Sequence, residues 1–98
     1  MGIDFAIDEL YATGWSPLDT GGCLYHTDAR PYPSCARVEQ EFSAAGCSFN
    51  IRRIQLFDCH RAEWSDSSGT PLGAVVGHSM DEAAVYALSQ LRRGLVTA

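Results

Sequence analysis

Apolar residues recur at helical spacing near the start of the chain, where Ile3, Ile7, Leu10 and Tyr11 share a face with Ala6. Asp4, Asp8 and Glu9 stand early, where a helix dipole favours anions, and Gly14 is placed to end the run, so the pattern predicts a helix over 4–13. A second stripe, Cys35, Val38, Phe42 and Ala45, follows the capping residue Ser34 and stops at Gly46, predicting a helix over 34–45. The third is the clearest. Ser79 and Glu82 have capping-box spacing, Asp81 and Glu82 occupy the first turn, and Ala84, Ala87, Leu88 and Leu91 form the apolar stripe, with Met80 and Ala83 adjoining. Arg92, Arg93 and Gly94 close a helix predicted over 79–93.

Residues 49–64 alternate as an extended run whose parity changes. Phe49 and Ile51 point one way, Ile54 and Leu56 the other. A period of two cannot keep both pairs on one face, so a bulge at Arg52–Arg53 or cover on both faces is expected. Ala62 and Trp64 continue the run, Asp66-Ser67-Ser68-Gly69 signals a turn, and Leu72–Val76 returns as a strand, giving a hairpin across 49–77. Residues 16–33 are rich in Pro and Gly. So long a structureless loop is unusual in a compact domain, so this segment either holds a strand, near 23–26, or carries function. A lone hairpin is marginal in water. Three helices packed on one face of a small antiparallel sheet, with 23–26 as its third strand, make the expected fold α+β, in one domain over 1–98.

Charge changes this picture by its placement. The chain has 98 residues, 46% of them hydrophobic, and a net charge of -5 with twelve acids against seven bases. All seven bases are Arg, a usage typical of a GC-rich bacterial or phage genome. Residues 1–48 hold seven acids and two bases; residues 49–98 hold five of each. The first base is Arg30, so the opening stretch is purely anionic, and it is also aromatic. Acids attract basic surfaces and repel phosphate. Tyr11, Trp15, Tyr25 and Tyr32, set among Asp8, Glu9, Asp19 and Asp28, are therefore expected to bind a protein with a basic surface, or another copy of the chain. The competing reading is a solvated acidic face with its rings turned into the core. No apolar run has the length of a membrane span, and the N-terminus lacks a basic signal-peptide region, so a cytoplasmic protein is expected.

Reactive side chains are present without a motif to join them. Cys23, Cys35, Cys47 and Cys59 lie twelve apart, but their flanking residues do not match as a repeat would. Cys23-x-x-His26 has zinc-ligand spacing, and Cys35 and Cys59 could complete a set, whereas structural zinc sites usually show two close pairs. Four free thiols are expected, since unpaired Cys serves as a small hydrophobe and nothing signals secretion. No Gly-x-Ser-x-Gly, His-Glu-x-x-His or phosphate loop is found. A non-enzymatic protein with no cofactor is the expectation, with a zinc- or thiol-dependent site as an alternative.

From Ser34 onward, the order helix, extended segment, hairpin, helix resembles the α-β-β-β-α order of the double-stranded RNA-binding domain. Gly77-x-Ser79-x-x-x-Ala83, with Ala87-Leu88 beyond, is similar to the opening of that family's last helix. The resemblance covers about two-thirds of the chain and implies that fold order. The family sets lysines at the start of this helix to grip phosphate; here Met80 and Asp81 occupy those places, and the Gly-Pro-x-His loop between the first two strands is missing. Arg52, Arg53 and Arg61 could touch phosphate, but the acidic balance predicts weak, salt-sensitive binding, and no RNA-contacting residue carries over.

Overall fold

The computed structural model describes residues 3–15, 23–27 and 30–97. Its elements are α1 (Ile3–Ala12), β1 (Cys23–Tyr25), β2 (Pro31–Pro33), α2 (Cys35–Ala44), β3 (Ser48–Ile54), a 3-10 turn (Gln55–Phe57), β4 (Cys59–Ser65), β5 (Pro71–Gly77) and α3 (Met80–Thr97). The fold is α+β, with three helices and two antiparallel sheets, β1-β2 and β3-β4-β5. No helix among the described residues is long and apolar enough to cross a membrane.

Local chemistry sets the helix ends. Gly14, at φ +87°, follows α1, and Gly46, at φ +78°, follows α2; both hold the left-handed conformation that a residue with Cβ resists. Ser34 caps α2 by accepting from the Arg37 N–H at 3.2 Å. At α3 the Ser79 hydroxyl accepts from the Glu82 N–H at 3.1 Å, and Glu82 reaches back to the His78 N–H at 2.7 Å, one residue earlier than in the usual capping box. The predicted stop at Gly94 does not hold, because α3 runs through it to Thr97. A single glycine costs a helix only about 1 kcal/mol relative to alanine, which disfavours continuation without forbidding it.

The run 49–64 is two strands rather than one. Pairing between β3 and β4 is regular from Ser48↔Ser65 to Ile54↔Cys59, so no bulge sits at Arg52–Arg53. The chain instead reverses through the 3-10 turn, with Asp58 at φ 48° in the left-handed region. Leu56, which had read as a strand position, lies on that turn and is 85% exposed. The register irregularity falls between Trp64 and Ser65, where β4 meets β5. The hairpin 49–77 is thus a three-stranded meander. The strand expected near 23–26 is present as β1, but it pairs with β2 in a sheet of its own.

Ile7 and Leu10 of α1, Val38 and Phe42 of α2, Ala62 and Trp64 of β4, and Ala84 and Leu88 of α3 share one buried cluster. On the helix side of the meander, Phe49 and Ile51 pair across to Trp64 and Ala62. Phe42 stacks on Phe49 at 4.5 Å and tilts against Trp64 at 5.5 Å. Gly73 sits beneath Trp64, where a Cβ would lie 2.5 Å from the indole. Gly77 passes so close to α3 that a Cβ would lie 2.6 Å from the Ala83 nitrogen. The two glycines let the sheet meet a tryptophan and a helix backbone at contact distance.

Candidate interaction surface

The described residues of the anionic, aromatic N-terminal region are largely turned inward or paired within the chain. Trp15 and Tyr32 belong to the buried core. Tyr11 is half-buried; its hydroxyl donates to the Pro31 carbonyl at 2.6 Å and its ring tilts against Trp15. Asp8 pairs with Arg30, and Glu9 with Arg93. Tyr25, at 63% exposure, faces solvent beside the half-exposed Leu24. Asp19 and Asp28 lie outside the described residues. Among the described members, the acids and rings therefore tie α1 to β2 and α3, and Tyr25 alone is an open ring.

The candidate metal ligands are likewise dispersed over elements. Cys23 lies on β1 with His26 just beyond it, Cys35 opens α2, and Cys59 opens β4 opposite Ile54. Among the described residues, no three His, Cys, Asp or Glu side chains form a group able to hold a metal ion. The Cys35 thiol donates to Asp81 at 3.4 Å, joining α2 to the first turn of α3. Burial pushes this thiol up to about 11, and the bond to Asp81 adds to the shift. A thiol held protonated in this way is a poor nucleophile. The same surroundings, burial first and then Asp81 and Cys35, raise the Tyr32 hydroxyl.

The surface that sequence reasoning missed lies along β5. Among the described residues this strand pairs with β4 alone, which leaves its other edge open. Leu72, Ala74 and Val76 alternate onto the face away from the helices, and Leu72 and Val76 are 53% and 51% exposed. No Asp, Glu, Arg or Lys occurs from Ser67 through Met80. Open edges are ordinarily protected by charge, by proline or by an interior bulge. Here proline stands only at the first position, Pro71, which is also where the register shifts. A groove of about 330 Å³ follows the edge, lined by Val75, Val76, His78, Glu82 and Tyr86. The Glu82 carboxylate reaches both the His78 N–H and, at 3.3 Å, its ring Nδ1. Burial raises the Tyr86 hydroxyl, and the carboxylates of Glu82 and Asp4 push it further the same way.

On the outer face of the meander, Glu63 receives Arg52 at 3.1 Å and Arg61 at 3.0 Å. This exposed triad sets two guanidiniums on one carboxylate, leaves one net positive charge and contributes little to stability. No protein-family model matches the chain, and no curated protein or solved structure matches it.

Proposed function

We propose that the protein is a non-enzymatic module that acts by binding another protein, and that β5 is its contact strand. The observation that carries this reading is the open, charge-free edge of β5, with Leu72 and Val76 half-exposed beside it. Unpaired N–H and C=O groups on such an edge supply directional bonds to an incoming chain, and neighbouring apolar side chains give the contact its area. Tyr25 and Leu24 are also exposed, on a different sheet, but as consecutive strand residues they point to opposite faces and share no apolar patch.

Affinity capture from the cells that make the protein, with cross-linking, tests this. Wild type should retain a specific partner cross-linked near β5. A Leu72→Lys/Val76→Lys variant should lose it, whereas Tyr25→Ser should keep it. Equal recovery by the wild type and the double-lysine variant overturns the reading.

A second reading rests on topology. The order α2-β3-β4-β5-α3, with both helices against the meander, agrees with the RNA-binding resemblance. At the helix start, however, Met80 and Asp81 stand where phosphate-gripping bases would be needed, and the buried Glu82 follows. Fold order alone does not carry function. A gel shift with duplex RNA at low and high salt separates the two readings, and tight, salt-dependent binding would favour this second one.

A further inference from the structure

We infer that the edge of β5 accepts an extended segment of a partner protein as a fourth strand, and that this segment carries basic residues on its helix-facing side and apolar residues on its outer side. The inference rests on the binding role proposed above and specifies the partner's chemistry.

Three observations lead to it. The first is the pleat. A strand laid against β5 alternates its side chains between the two faces of the sheet. On the outer face they meet Leu72, Ala74 and Val76, so apolar residues suit those positions. On the helix side they enter the groove lined by Val75, His78, Glu82 and Tyr86.

The second is charge. Among the described residues, Glu82 is the one formally charged side chain lining that groove, and its carboxylate acts on the Tyr86 hydroxyl together with that of Asp4. Among the described residues the groove contains no Arg, and β5 contains no charge of either sign. A Lys or Arg from the partner is thus attracted at the helix side, and a carboxylate there is repelled.

The third is area, which selects an extended segment over a second copy of this chain. Seven residues of strand span about 23 Å, and two folded domains meeting along so short a line touch over a narrow strip. A stable interface between folded partners needs about 1,200 Å² or more. Pairing β5 with its own copy would also bring two such anionic grooves to one seam, between molecules of net charge -5. A flexible segment avoids both difficulties, because it can follow the edge and fill the groove in one pass.

The test uses two capped seven-residue peptides, one alternating Val and Arg, the other alternating Val and Glu. Each is titrated into the ¹⁵N-labelled protein and followed by amide chemical shifts. The Val/Arg peptide should shift the amides of β5 residues 72–77, together with those of His78 and Tyr86, and should bind roughly tenfold more tightly than the Val/Glu peptide. Added salt should narrow that difference. Leu72→Lys/Val76→Lys, with its dispersion of amide signals checked against wild type, should abolish the shifts.

Equal binding of the two peptides, shifts centred elsewhere, or binding weaker than about 1 mM overturns the inference. So does concentration-dependent self-association that broadens the β5 amides, which would assign the edge to a second copy. A partner captured through β5 in cells, combined with no preference between the peptides, removes the chemistry proposed here and leaves the binding role standing. Capture independent of β5 removes the binding role as proposed.

Discussion

Gly73 and Trp64 are a matched pair, and neither position tolerates much change of volume. A methyl at Gly73 meets the indole at 2.5 Å, and Trp64 is itself held by Phe42. Gly73→Ala should therefore destabilise the fold by about 1–3 kcal/mol, as overpacking does, rather than stabilise it by restricting the unfolded chain. The midpoint of urea unfolding measures this, and an unchanged or raised midpoint would contradict it. Cys35 offers a test in pH. Its folded-state value of about 11 exceeds the ordinary 9.0, so the folded protein holds the proton after the unfolded chain has released it. The stabilisation from this thiol is intact below the ordinary value and is lost as pH rises from there toward the folded value. Alkylation of Cys35 by iodoacetamide should accordingly be slow near neutral pH and accelerate toward pH 11. Rapid labelling at neutral pH would show that the thiol is neither buried nor bonded to Asp81.

Elements with several local signals in agreement were the most legible in the chain itself. Ser79, Glu82 and the alanine-rich stripe mark α3 and fix its start to within a residue, whereas its end lies beyond Gly94, which does not interrupt the helix. Residues 49–64 were harder, because Ile54 and Leu56 look like strand positions and the intervening 3-10 turn contains no Gly or Pro. Asp58 was the available cue, since Asp visits the left-handed region more readily than most residues. The β4–β5 turn, by contrast, was plain. The Asp66 carboxylate accepts from the Ser68 hydroxyl and from the Thr70 and Ser68 N–H groups, and these bonds, the hydroxyl's first, hold it below the ordinary carboxylate value. Ser79→Ala removes the acceptor of the Glu82 N–H and should cost about 0.5–2 kcal/mol. Thermal or urea unfolding checks it, and a shift no larger than that of an exposed surface substitution would mean that the Glu82–His78 bond alone suffices.

At the scale of the molecule, the sequence showed where charge lies but not what it faces. Asp8 and Glu9 looked available to a partner because no base occurs before Arg30. The fold brings Arg30 and Arg93 to them, and Arg92 donates to the Thr13 hydroxyl at 2.9 Å, joining the first helix to the last. Such long-range pairings cannot be read from local spacing. The β5 edge was hidden for a related reason. Its lack of charge is visible in the chain, but its place at the border depends on strand order, which emerges only when β3, β4 and β5 assemble.

The tryptophans give this architecture an optical consequence. Trp15 lies tilted against Tyr11 just beyond α1, while Trp64 covers Gly73 in the meander, so each indole watches its own neighbourhood. Variants keeping one indole each, Trp15→Phe and Trp64→Phe, turn fluorescence into two local clocks for unfolding. Since both rings belong to one buried cluster, the clocks should stop together, with coincident denaturation curves once each variant's own stability is allowed for. A Trp15 signal that melts first would reveal that the helix-and-hairpin front dissolves while the three-stranded back still stands.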